Sequence, residues 1–109
     1  MKTATCPSFT ITLHLAGPIE VAKQWLRGEC LREGLCVTIE PELFIYTGGE
    51  EAGYRVGLLN YPRFPSEPKS LLTKRAEEIL LGLIEATHQH SGLLVSPTET
   101  KWFTRREAA

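Results

Sequence analysis

One apolar stripe sets the terms for this chain. Between Ser66 and His90, residues Leu72, Ala76, Ile79, Leu80, Leu83, Ile84 and Thr87 recur at the 3.6-residue period of an α-helix. A helix with such a face has to lie on a second layer, and the rest of the sequence supplies one. Phe9, Ile11, Leu13 and Leu15 alternate with Ser8, Thr10, Thr12 and His14, the pattern of a half-buried strand. Gly17-Pro18 ends that strand and opens a helix, because proline lacks only an N–H that the first helical turn leaves unbonded anyway. Ile19, Ala22, Trp25, Leu26 and Cys30 make its apolar face, while Lys23, Arg27, Glu29 and Arg32 look outward. Gly28 costs about 1 kcal/mol inside a helix, which points to close packing against a neighbour. Gly34 suits the helix stop.

Leu35, Val37 and Ile39 alternate as a second strand, and Pro41 predicts a tight turn at Glu40-Pro41-Glu42 before a third strand over Leu43–Tyr46. Residues 47–53 read as a loop, and Tyr54–Asn60 as a strand with Tyr54, Val56, Leu58 and Asn60 on one face and Arg55, Gly57 and Leu59 on the other. Pro62 and Pro65 exclude regular structure from Tyr61 to Pro65. Ser66 is the expected N-cap of the long helix, which runs to about His90. Leu71 and Leu81 lie off its apolar face, as though another subunit covered a second one. A hairpin of Leu93–Val95 and Thr100–Thr104 turns at Ser96-Pro97-Thr98-Glu99. The order β-α-β-β-β-α-β-β is that of an α+β protein: an antiparallel or mixed sheet of about five to six strands with two helices packed on it, built on a ferredoxin-like core. At 109 residues the chain is a single domain, with residues 1–7 and 106–109 expected as flexible ends.

Composition excludes several chemistries. All thirteen acids are Glu, so aspartyl dyads, EF-hand loops and Ser-His-Asp triads cannot be written. Net charge is −1, which argues against a polymeric nucleic-acid partner. Three cysteines without C-x-x-C spacing favour free thiols in a reducing compartment. No stretch reads as a signal peptide or approaches the ~20 apolar residues of a membrane helix, so a cytosolic protein without membrane contact is expected. His14 reads as a solvated strand residue, and His88 and His90 as helix-end histidines rather than metal ligands. Glu50-Glu51 and Glu77-Glu78 read as solubility pairs, since adjacent residues do not face each other. No metal, cofactor or catalytic residue is expected.

The densest chemical signal lies between Tyr54 and Phe64. Arg55 and Arg63 offer planar forks for phosphate oxygens, and Tyr54, Tyr61 and Phe64 offer faces for a base. Asn60 can give and accept hydrogen bonds together, as an adenine edge requires. The bland alternative is that Pro62, Phe64 and Pro65 only staple the long helix to the sheet, and composition favours neither reading.

Gly34-Leu-Cys-Val-Thr-Ile-Glu-Pro, Tyr46-Thr-Gly-Gly-Glu-Glu and Gly57-Leu-Leu-Asn-Tyr-Pro-Arg-Phe-Pro65, with Leu15–Lys23 before them, resemble the first type of phage anti-Thoeris sponge over roughly residues 9–104. That resemblance implies a non-enzymatic protein of the host bacterial cytoplasm that sequesters cyclic nucleotide immune signals. Its ligand would be glyco-cyclic ADP-ribose, held between two subunits of a homo-oligomer. Some members form hexamers and trap cyclic di- or trinucleotides as well. The family's asparagine and proline fall on Asn60 and Pro62, its Thr-x-Arg on Thr104 and Arg106, and its aromatic on Tyr54, Tyr61 or Phe64. Two other functions fit the pattern: a small RNA-binding ferredoxin-like module, and a protein–protein inhibitor or assembly subunit anchored by Tyr61, Phe64 and Trp102.

Overall fold

Alternation in the first strand decides which side of the sheet is covered. In the computed structural model, which describes residues 1–106, β1 (Thr10–Ala16) turns Ile11, Leu13 and Leu15 into the core and leaves Thr10, Thr12, His14 and Ala16 on the opposite face. Six further elements follow: α1 (Ile19–Arg32), β2 (Val37–Tyr46), β3 (Gly49–Leu59), α2 (Lys69–Ala86), β4 (Ser91–Val95) and β5 (Thr100–Thr104). The strands form one antiparallel sheet in the order β2-β3-β1-β4-β5. The first four strands and two helices have ferredoxin-like connectivity, and β5 extends the sheet beyond β4. The α+β class therefore stands as expected.

Both helices lie on the inner face. The stripe of α2, from Leu72 to Ile84, meets Leu13, Leu15, Tyr54, Val56, Leu58 and Leu94, and α1 adds Ala22 and Leu26. Burying each of the larger of these side chains contributes about 1.5–3 kcal/mol, so this layer outweighs any polar contact on the surface. Among the described residues no helix is long and apolar enough to cross a membrane.

Four local expectations are corrected. Pro41 makes no turn: β2 runs through it as a single edge strand paired with β3 from Val37↔Leu58 to Tyr46↔Gly49. At an edge, half of the backbone N–H groups point away from the sheet, so proline is tolerated there. The loop expected over 47–53 shrinks to a turn at Thr47-Gly48, where Gly48 takes φ +95, and the hairpin arm continues past the end of β1 at Ala16↔Gly53. Ser66 does not cap α2. It is buried, its backbone N–H donates to Asn60 Oδ1 (2.9 Å) and its hydroxyl accepts from Arg75 Nη1 (2.8 Å), while the helix starts after Pro68. At the other end α2 stops at Ala86 rather than His90. His88 adopts φ 54, and the Gln89 N–H reaches back to the Ile84 carbonyl (2.9 Å), closing the helix as a glycine would.

The packing glycine is also a different one. A Cβ on Gly28 would meet nothing within 4 Å, whereas one on Gly82 would run into the Trp25 ring, which seats α1 against α2. Leu81 is exposed beside it, with nothing among the described residues covering that face. Two substitutions separate propensity from packing. Gly28→Ala gains about 0.5–1 kcal/mol of helix stability, while Gly82→Ala loses about 1–3 kcal/mol net despite the same propensity gain. Urea denaturation of both variants checks this, and equal shifts would contradict the Trp25 contact.

Candidate functional site on the open face of the sheet

The sheet face away from the helices is polar at its centre and aromatic at its sides. Register fixes the rows. Glu40, Arg55, His14, Leu93 and Trp102 lie across β2, β3, β1, β4 and β5, and Glu42, Gly53 and Ala16 form the next row. His14 Nδ1 lies 2.8 Å from Glu42 Oε1, and both side chains are mostly shielded (26% and 17% exposed). A carboxylate can only accept, so Nδ1 carries the hydrogen, and in the neutral ring Nε2 is then the acceptor. Arg55, on β3 between His14 and Glu40, is forked onto Glu40 through Nε (3.3 Å) and Nη2 (2.9 Å). The hydrogen bonds and charge of Arg55 hold the Glu40 carboxyl below the usual carboxylate range.

Beside His14 is a cleft of about 330 Å³. Its floor is small, with Ala16, Ser91 and Gly92, and its sides are large: Phe44 and Tyr46 from the β2–β3 arm, Leu93 and Trp102 from β4 and β5. Gly53 belongs to the same design, since a side chain there would strike the Phe44 ring and the backbone of Leu15 and Ala16. Polar groups enter from two directions, Glu51 from the arm and His90 and Arg106 from the opposite margin. Among the described residues, no group of three or more His, Cys, Asp or Glu could hold a metal ion.

The residues singled out in the sequence do not converge. Tyr54 is fully buried; its ring lies in the core, its hydroxyl is 3.5 Å from Thr87 Oγ1, and burial pushes its phenol pKa up. No ligand reaches a ring in that position. Asn60 is 5% exposed and spends its amide internally, Nδ2 donating to the Pro7 carbonyl and Oδ1 accepting from Ser66 N–H, both at 2.9 Å. Tyr61, Pro62, Arg63 and Phe64 stay together after β3. Tyr61 meets Phe64 edge-on at 5.8 Å, and the Arg63 guanidinium lies 5.4 Å from the Phe64 ring centre. Arg55 is on the open face but engaged with Glu40. Thr104 ends β5, its hydroxyl accepting from the Arg106 N–H at 3.0 Å, and Arg106 alone of these residues lines the cleft.

The centre of the face differs from the sequence expectations: His14, expected solvated, is mostly shielded, Glu42, expected in a turn, lies within β2, and Glu51, expected to serve solubility, lines the cleft. One signal was available: Glu40, Glu42, Phe44 and Tyr46 share a two-residue period once Pro41 is allowed within an edge strand.

The sequence matches no protein-family model and no curated protein. Two solved structures share its fold over nearly their full length: a phage SAM lyase in complex with S-methyl-5′-thioadenosine, and a phage SAM lyase in the apo state. Each has a TM-score of 0.73 and 12% identity, covering 100% of this chain and 98% of the other. At that identity the likeness establishes the fold. The expectation of a non-enzymatic protein is corrected here, because both of these structures are named as a lyase.

The Asn60 network has a direct test. Asn60→Ala leaves a buried N–H and a carbonyl without partners and costs about 2–4 kcal/mol. Thermal unfolding measures the loss, and an unchanged melting temperature would return Asn60 to the pool of ligand contacts.

Proposed function

We propose that this protein is an enzyme that binds S-adenosylmethionine in the open-face cleft and cleaves it to S-methyl-5′-thioadenosine. The observation that carries the proposal is the cleft itself, in which His14, held from behind by Glu42, stands with aromatic walls and the Glu51 carboxylate, on the fold of a phage SAM lyase. Aromatic faces and carboxylates attract an onium cation and flat rings accept a purine. A dianionic cyclic nucleotide suits the cleft less well, since Arg106 is its one lining Lys or Arg.

Cleavage needs no water. The bond from sulfur to the four-carbon amino-acid chain breaks with its electron pair going to sulfur, which becomes a neutral thioether. The departing carbon makes good its lost bond from within its own chain. Either the substrate carboxylate closes onto it as a lactone, or the neighbouring carbon gives up a proton and forms a double bond. In the second route His14 Nε2 is the acceptor and Glu42 the group that orients it.

A homo-oligomer is part of the proposal. Leu43, Ile45 and Tyr46 on the projecting arm are 53%, 76% and 56% exposed, which supports a seam where the arm of one copy meets another. In an infected bacterium, loss of the methyl donor would serve a phage as an anti-defence measure in the host cytoplasm. A second reading, capture of glyco-cyclic ADP-ribose or another cyclic nucleotide, is favoured by Arg63 over Phe64 beside Tyr61. No carboxylate pairs with Arg63 among the described residues.

Incubation of the purified protein with S-adenosylmethionine is expected to yield S-methyl-5′-thioadenosine with a lactone or an unsaturated amino acid. His14→Ala should slow the reaction by about 10²-fold or more if the proton route operates. Chromatography of the products decides. Intact S-adenosylmethionine after prolonged incubation, together with tight binding of a cyclic nucleotide, would replace this reading with the second.

A further inference from the structure

The two ends of the cleft carry opposite fixed charge. Glu51 stands on β3 opposite Phe44, at the arm end. Arg106 follows β5 at the other margin, where the backbone is pinned twice: the Arg105 N–H donates to the His90 carbonyl (2.8 Å) and the Arg106 N–H to Thr104 Oγ1 (3.0 Å). The neighbouring arginine is already satisfied, since Arg105 Nη2 meets Glu85 at 2.9 Å, and Arg55 is likewise held by Glu40. Neither Arg106 nor Glu51 takes part in an ion pair among the described residues. The sheet order β3-β1-β4-β5 puts three strand spacings, about 14 Å, between β3, which carries Glu51, and β5, which Arg106 follows. Both residues line the cleft, and the gap between them suits a short chain carrying a positive group at one end and a carboxylate at the other.

We infer that Arg106 and Glu51 are the specificity-determining residues of this cleft. Arg106 takes the carboxylate of the substrate's amino-acid chain, and Glu51, with Phe44 and Tyr46, takes the cation at the sulfur position. The inference rests on the function proposed above and adds an orientation to it. A guanidinium fork is matched to a carboxylate in a way that the compact charge of lysine is not. The arrangement also separates substrate from product, because S-methyl-5′-thioadenosine has lost both the carboxylate and the cation and keeps neither end contact.

Three ligands dissect the clamp. Sinefungin cannot be cleaved, keeps the amino-acid chain and is cationic where sulfur would be. S-adenosylhomocysteine keeps the chain but is neutral at sulfur, and S-methyl-5′-thioadenosine lacks the chain. Calorimetry with the full-length protein is expected to show Arg106→Gln weakening the first two about 10- to 100-fold, with the third changed less than about twofold. Glu51→Gln should weaken sinefungin by about tenfold and leave S-adenosylhomocysteine nearly unchanged. Both residues are exposed, so circular dichroism should report an intact fold in each variant. Equal losses for all three ligands, or no loss for the chain-bearing pair, would overturn the clamp while the proposed function stands. No binding of any of the three by the unaltered protein would overturn both.

Discussion

The contact between the stripe of α2 and the inner side of β1 and β3 governs the rest of the molecule. Leu13 and Leu15 are driven into that layer by burial, and the two-residue period of a strand then leaves no choice for their neighbours: Thr12, His14 and Ala16 must face the other way. The same layer takes Tyr54, Val56 and Leu58, which sends Arg55 and Gly53 outward. A slip of one residue in β1 would exchange the core for the site. The polar face is therefore as strongly specified as the apolar one, although few contacts of its own hold it.

What two helices on one side of a five-stranded sheet leave open is a surface that no layer of the described residues covers. Its central groups are tied to one another, His14 to Glu42 and Arg55 to Glu40, so most of the charge at the middle of the face is internally balanced. The remaining charges stand at the cleft margins. The aromatic side chains come from the two hairpins at opposite edges, the β2–β3 arm and the β4–β5 pair, and the strand added beyond the ferredoxin-like core contributes Trp102. This distribution suits a small ligand of mixed charge better than a polymer or a dianion.

The regular parts of the fold could be read directly from the chain, because they depend on period alone. The α2 stripe, the β1 alternation and the last hairpin each lie within a few residues of where their patterns put them. The failures share a cause. At Pro41, Ser66, Gly28 and His88 the residue's own preference is overridden by its surroundings: an edge position, the Asn60 hydrogen bond, an open helix surface and a helix-closing turn. The site was the least legible part. Its residues are separated by up to some ninety positions in the chain, and only the strand order brings His14, Glu51, Trp102 and Arg106 to one cleft. The local cluster at 54–64 was conspicuous for a different reason, since Tyr54 and Asn60 are there to fill and close the core.

The central claim is that the open face, and not the segment after β3, receives an adenosine-bearing ligand. Titration of isotope-labelled protein with S-methyl-5′-thioadenosine, followed by amide and indole resonances, tests it most directly. The account predicts shifts concentrated at His14, Ala16, Ser91 and the Trp102 indole, with Tyr61, Arg63 and Phe64 unmoved. Shifts confined to Tyr61–Phe64, or none at millimolar ligand, would contradict it.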